Sequence, residues 1–153
     1  MKTIDSFTVN HDTLKKGLYL SRKDGDVITY DVRMKLPNGG DYLPNAAMHT
    51  IEHLFATYAR NSQYEEEVVY VGPMGCRTGF YILLRQSVSQ KDAILLVCDA
   101  MRYICDYQGE IPGCTRRACG NYLEHDLNAA KSIAADMYQV LENWKEEQLV
   151  YPE

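Results

Sequence analysis

Ala47-Met48-His49-Thr50-Ile51-Glu52-His53 is the stretch around which the chain is organised. Placed on a helix at about 100° per residue, it separates into two faces. Ala47, Ile51, Leu54, Phe55 and Tyr58 form an apolar stripe with the i, i+3, i+4, i+7 spacing of a core-facing helix. His49, Glu52, His53 and Arg60 lie on the opposite side. Two His four apart stand one turn above each other, so both imidazoles can reach one metal ion. Glu52 sits beside them, close enough to handle protons without being needed as a ligand. The plain alternative is a solvated polar face. It is the weaker reading because two of only 4 His fall at this spacing, and helix-borne His-x-x-Glu-His is a metal signal.

Working outward, residues 27–36 give the cleanest strand pattern. Ile28, Tyr30, Val32, Met34 and Leu36 face one way and Thr29, Asp31, Arg33 and Lys35 the other, which predicts a sheet with one covered and one polar face. Before it, residues 3–9 alternate weakly as an edge strand, Leu18-Tyr19-Leu20 reads as a short strand, and residues 22–26 as a turn. Pro37-Asn38-Gly39-Gly40 ends the strand, and Asn45 is the expected N-cap of the metal-motif helix, which frays near Asn61-Ser62. Val68–Val71 and Phe80–Leu84 flank a Gly-rich connection and read as a β-β pair or a bulged strand. Ser89 opens a helix with Ala93, Val97, Ala100 and Ile104 on one face; Asp126 opens a last helix striped by Leu127, Ala130, Ile133, Ala134, Met137, Leu141 and Trp144. From Lys145 the charged tail is expected to be loose. Strands and helices do not alternate strictly. The expected class is therefore α+β, a single domain over residues 1–153 with a mostly antiparallel sheet against three to four helices.

Totals narrow the function. A chain of 153 residues with ordinary apolar content builds one real core. A net charge of -5 and no basic run argue against a nucleic-acid surface. No apolar run approaches the roughly 18 residues of a membrane span. Met1-Lys2-Thr3-Ile4-Asp5-Ser6 lacks the apolar segment of a secretory signal. Five irregularly spaced Cys are not a disulfide framework, so a cytoplasmic, reducing location is expected, with the Cys as thiols, ligands or nucleophiles. Tyr is abundant, at 12, and that abundance suggests no function by itself.

Two His leave a divalent ion under-coordinated. His11, His125, Glu124 and the Cys are all available as a third ligand. Cys119, before Gly120 and a helix, is a reasonable one, and three protein ligands with an open position is a catalytic arrangement. Cys98 and Cys105, inside the helix after Ser89, read as small core residues; Cys114 is open. Cys76 sits in a tight loop beside Arg77, a cation that would favour its thiolate and equip it as an acid/base or nucleophile. On these residues alone two other functions compete. One is a metallopeptidase of the inverted His-x-x-Glu-His type with Glu124 as third ligand. The other is a non-catalytic module closed by His49, His53, Cys114 and Cys119.

Pro73-Met74-Gly75-Cys76-Arg77-Thr78-Gly79, together with His49–His53 and Cys119-Gly120-Asn121-Tyr122, resembles the S-ribosylhomocysteine lyase (LuxS) family in order and approximate spacing. Ser6, His11 and Tyr30-Asp31-Val32-Arg33 also match, so the resemblance covers nearly the whole chain. It implies His49, His53 and Cys119 as metal ligands, Glu52 and Cys76 as the two acid/base groups, and Ser6, His11 and Arg33 as substrate contacts. It implies a homodimer with sites at the interface, Ser6 and His11 serving the partner's site. It also implies a small-molecule substrate and one divalent ion per subunit, Fe²⁺ as the working ion with Zn²⁺ or Co²⁺ able to replace it. The family often carries an acidic residue four positions before the Pro73–Cys76 segment. Here the run is Val68-Val69-Tyr70-Val71-Gly72, without a carboxylate and with Gly72 where Ser is usual.

Overall fold

Two hairpins make the sheet. Strand β1 (Gly17–Asp24) turns through Gly25, at φ 61°, into β2 (Val27–Arg33). After helix α1 (Asn45–Arg60), β3 (Val68–Pro73) turns back as β4 (Gly79–Arg85). The order is β1-β2-β4-β3 and every neighbouring pair is antiparallel. Helices α2 (Gln90–Asp106) and α3 (Leu127–Leu141) complete an α+β domain, seen in a computed structural model that describes residues 1–153.

The strand periodicity puts Tyr30 and Val32 of β2 beside Phe80, Ile82 and Leu84 of β4. This face meets Ile51, Leu54 and Phe55 of α1, Val97 and Met101 of α2 and Ala134 and Met137 of α3 in one apolar core. The α1 stripe is thereby buried and its His-bearing face turned outward. Asp126 and Ser89 cap α3 and α2 as expected, accepting from Ala129 N–H at 3.0 Å and Asp92 N–H at 3.1 Å.

Several expectations are corrected, among them residues 22–24, which continue β1 instead of turning. Residues 3–9 form no strand; Asp5–Phe7 is a 3₁₀ turn, closed by Thr8 N–H to the Asp5 carbonyl at 3.0 Å. The strand from residue 27 ends at Arg33, because Met34 and Lys35 N–H both donate to the Thr78 carbonyl at 2.8 and 2.9 Å and pull the chain out of the ladder. Asn45 is the first helical residue; Pro44 is the N-cap, its φ of -60° already suited to helix entry, and it makes no side-chain cap bond. Most consequential, the sheet's second face is not solvated. Asp31 and Arg33 are 1% and 2% exposed. Two charges can leave water together when they neutralise each other with good geometry. Arg33 Nε and Nη2 reach the two Asp31 oxygens at 3.1 and 2.6 Å. The tail expected to be loose covers them: residues 146–149 form a 3₁₀ turn, Leu149 is buried, and the Tyr151 ring stacks on Tyr19 of β1.

Candidate active site

The outward face of α1 carries two imidazoles whose tautomers are set by what they touch. His49 Nδ1–H donates to the Glu124 carbonyl at 2.8 Å and His53 Nδ1–H to the Pro112 carbonyl at 2.7 Å. A carbonyl only accepts, so both rings hold their proton on Nδ1 and keep a lone pair on Nε2. Those Nε2 atoms lie 3.4 and 3.9 Å from Cys119 Sγ. Asn121 N–H donates to the same sulfur at 3.4 Å.

His125 joins them, its ring stacked on His49 with centroids 3.9 Å apart. Buried Thr50 on α1 fixes it. Thr50 Oγ1 donates to the Ala46 carbonyl at 3.1 Å and accepts Asp126 N–H at 3.0 Å, and its remaining lone pair takes His125 Nδ1–H at 3.0 Å. His125 Nε2 is left buried without a partner. Burial first, then the neighbouring His49 and His53, hold His125 below the usual imidazole pKa, so it stays neutral. The ligand atoms of His49, His53, Cys119 and His125 all lie within 4.8 Å of one another. Three imidazoles oriented through Nδ1, one Cys sulfur and one orphaned buried nitrogen fit a divalent ion of the zinc and iron class.

Other expected ligands are elsewhere. Cys114 is not in this group, which removes the closed set built on it. Glu124 gives His49 its carbonyl while its carboxylate turns to Asn121 Nδ2 at 3.4 Å, so it is not the peptidase-type ligand. Burial pushes the Cys98 thiol up to about 11, which makes it inert, as expected for a core Cys. Cys105 is partly buried against the core.

Glu52 is half-buried next to His49 and His53 and borders two cavities. One, of about 450 Å³, also has His53, Arg60 and Tyr70 in its wall. The other, of about 280 Å³, has His49, Pro73 and Glu124. Its carboxylate makes no hydrogen bond or ion pair, which leaves it free to exchange protons with a bound molecule. Tyr70 and Gly72, both in the run that departs from the family, are one feature. A Cβ on Gly72 would stand 2.4–2.7 Å from the Tyr70 ring, so the glycine makes room for the tyrosine that lines the larger cavity.

Cys76 is exposed in the turn between β3 and β4, which Met74 N–H closes on the Gly79 carbonyl at 2.9 Å. The cation acting on it is not Arg77, as expected. Arg77, at φ 59°, turns its guanidinium to the Leu43 carbonyl at 3.2 Å and the Tyr42 ring. Arg33 approaches instead: its Nη1 donates to Thr78 Oγ1 at 2.7 Å, and that oxygen lies 3.0 Å from Cys76 Sγ. Cys76 and Arg33 are thus brought together, as are Glu52 and the metal group. Ser6 and His11 join neither cluster; His11 Nδ1–H donates to the Val9 carbonyl at 2.8 Å and Ser6 lies in the Asp5–Phe7 turn.

The sequence reading did not single out Thr50, Thr78, Asp31 or Tyr151. For Thr50 a signal was present, since a polar residue on a helix turn pointing into the core needs a partner. For Tyr151 there was none.

Comparison with known proteins agrees with the motifs. A family model described as S-Ribosylhomocysteinase (LuxS) matches residues 4–148. An S-ribosylhomocysteine lyase of Clostridium acetobutylicum is 47% identical over 158 aligned positions that span 100% of both chains. Those of Phocaeicola vulgatus and Borreliella burgdorferi are each 46% identical, covering 99% of this chain and 98% and 100% of theirs. With its motifs, its imidazole-thiol cluster and its whole length aligned, this chain belongs to the S-ribosylhomocysteine lyase (LuxS) family.

Proposed function

We propose that Glu52 and Cys76 are the acid/base pair of a lyase that splits S-ribosylhomocysteine into homocysteine and 4,5-dihydroxy-2,3-pentanedione, the precursor of autoinducer-2. The chemistry dictates what the residues must do. The thioether sulfur leaves by β-elimination only when a carbonyl stands two carbons from the carbon that carries it. The sugar begins with its carbonyl at the far end, so the carbonyl must first migrate by proton transfers between adjacent carbons and their oxygens. Products and substrate balance atom for atom, so no oxidant or water is consumed.

His49, His53 and Cys119 would hold the divalent ion, with His125 facing it. When bound, the ion supplies Lewis acidity to the sugar oxygens. Glu52, free of partners and beside His49 and His53, exchanges protons on one side of the sugar. Cys76, with Thr78 and Arg33 behind it, serves the other side. Ser6 and His11 contact the substrate; Arg33, expected to do so as well, is 2% exposed and bonded to Asp31 and Thr78, so it acts through Thr78 and Cys76 instead. The observation that carries this reading is an unpartnered carboxylate next to a metal-type cluster. The test is thiol release from S-ribosylhomocysteine. Cys76→Ala should lower turnover by about 10² or more while metal content is retained; loss of the metal would make Cys76 a ligand instead. The ion is Fe²⁺ in this reading, so anaerobic handling should raise specific activity, and equal activity after days in air would count against iron.

We infer further that two copies combine, each giving Ser6 and His11 to the other's site, in the cytoplasm. Phe7, Leu36 and Leu123 are exposed, 75%, 50% and 80%, and available for such an interface. Mixing inactive His11→Ala and Glu52→Gln chains should restore roughly a quarter of wild-type activity, since half the dimers are mixed and each has one intact site. No recovery after subunit exchange would place His11 in its own chain's site.

A further inference from the structure

We propose that Tyr151 is a positioning residue that sets Cys76 through a buried hydrogen-bond relay. The relay can be followed atom by atom. Tyr151 Oη–H donates to Asp31 Oδ2 at 2.7 Å. The same oxygen takes Arg33 Nη2–H at 2.6 Å while Oδ1 takes Nε–H at 3.1 Å. Arg33 Nη1–H then donates to Thr78 Oγ1 at 2.7 Å, and Thr78 Oγ1 meets Cys76 Sγ at 3.0 Å. Because Thr78 accepts from a guanidinium, its own proton is free to bond and aim the sulfur.

The direction of the effect follows from charge. Asp31 and Cys76 compete for one Arg33 cation. The Tyr151 proton takes up part of the Asp31 charge, which leaves more of the guanidinium field for Thr78 and Cys76. Burial, and next the Asp31 charge, hold the Tyr151 phenol above its ordinary pKa, so it remains a donor. The ring is anchored as well as bonded. It stacks on Tyr19 with centroids 5.1 Å apart, Leu149 two residues earlier is buried, and Thr13 Oγ1 reaches the Pro152 carbonyl at 3.4 Å. The segment after α3 therefore wraps past β1, with Leu149 anchored in the helix-side core and Tyr151 laid on the second face of the sheet, and its one polar contact with the buried pair is the Tyr151 hydroxyl.

Its bearing on turnover rests on the acid/base reading of Cys76 given above; its bearing on the thiol does not. The test is the rate of Cys76 alkylation by iodoacetamide, followed peptide by peptide in full-length metal-loaded protein, beside steady-state kinetics. Tyr151→Phe keeps the stacking and deletes the donor. Cys76 alkylation should slow by about three- to tenfold, the order that a modest loss of thiolate produces, with Cys114 unchanged. The kcat should fall by a similar factor with KM held. Leu149→Ala, which loosens this segment without touching the phenol, should act in the same direction. An unchanged Cys76 rate in folded Tyr151→Phe would overturn the proposal. So would equal changes at Cys76 and Cys114, which would mean general loosening. If Cys76→Ala keeps full activity, the acid/base reading fails, and the alkylation comparison still decides the relay.

Discussion

Thr50→Val should damage both the stability of the fold and its metal site, although it touches no substrate. The residue is wholly buried on α1. Valine matches threonine in shape and branching and has similar helix propensity, so the exchange isolates the hydroxyl. That hydroxyl accepts Asp126 N–H at 3.0 Å and His125 Nδ1–H at 3.0 Å. Its donation to Ala46 at 3.1 Å is dispensable, because a carbonyl inside a helix has its backbone partner. Two donors are left without an acceptor, each at a cost of about 1–3 kcal/mol if water does not enter. Partial relaxation brings the expected loss to about 2–4 kcal/mol, and for a chain of this size that lowers Tm by roughly 5–15 °C. The second consequence is at the metal. With its Nδ1–H unanchored, His125 no longer presents Nε2 in a fixed direction, and losses of such supporting bonds weaken metal affinity about 10–100-fold.

The assay is urea unfolding of metal-free and zinc-loaded protein, with zinc affinity measured against a coloured chelator. Thr50→Ser is the control. It keeps the hydroxyl and loses one methyl, at a cost of about 1 kcal/mol, with affinity retained. A Thr50→Val protein within about 0.5 kcal/mol of wild type that binds zinc equally well would refute the reasoning. It would mean that neither Asp126 N–H nor His125 depends on this oxygen.

Three further outcomes are expected. In Gly79→Ala the new Cβ would lie 2.2 Å from the Val32 carbonyl oxygen in the centre of the sheet, where no flexible side chain can move aside; unfolding should be easier by about 3 kcal/mol or more, read by chemical denaturation. Gly72→Ser meets the exposed, movable Tyr70 ring instead, so the fold should lose less than about 1 kcal/mol while KM changes, and the change should be smaller in a Tyr70→Ala background. For the metal-free chain, the lowered His125 pKa has a definite sign. Below the ordinary value of 6.5 the unfolded state binds a proton that folded His125 refuses, so stability falls as acid is added and levels off once the folded ring protonates. His125→Gln should flatten that slope in a denaturation series across pH.

What could be read from the sequence divides along the line between local and long-range physics. Periodicity located α1, α2, α3 and the two central strands, because burial of one face per element is a local pattern and the core is continuous beneath them. His49, Glu52 and His53 were legible for the same reason, since one helix turn fixes their relation. Cys119 needed the family motif to choose it among several candidates, and His125 was only one name among them. Its place beside His49 depends on Thr50 and on the loop before α3, residues 75 positions apart in sequence. Strand alternation also misled at Asp31 and Arg33. It correctly put both on the face away from the helices, and polarity then implied solvent. Nothing local announces that a segment more than a hundred residues later folds back over them. The charged look of Lys145–Glu147 hid the buried Leu149 and half-buried Tyr151 that follow.

The composition of that second face is itself informative. A sheet face roofed by a short segment could be closed with apolar side chains, and a buried ion pair is often no better for stability than such packing. Here the face instead holds Asp31, Arg33 and Thr78, with Tyr81 opposite Asp31 in the ladder and Tyr19 and Tyr151 above. All the polar atoms of the ion pair and Thr78 are satisfied, and the far end of the chain of bonds is an exposed thiol. Stability alone would not select this arrangement, because Asp31→Leu with Arg33→Met would retain the fold on packing grounds. A control of the Cys76 sulfur would select it. The double variant should therefore stay folded, with unfolding free energy within about 2 kcal/mol of wild type, and lose thiol release from S-ribosylhomocysteine. If that variant unfolded at room temperature, the ion pair would have to be regarded as structural, and the abundance of Tyr around it as packing.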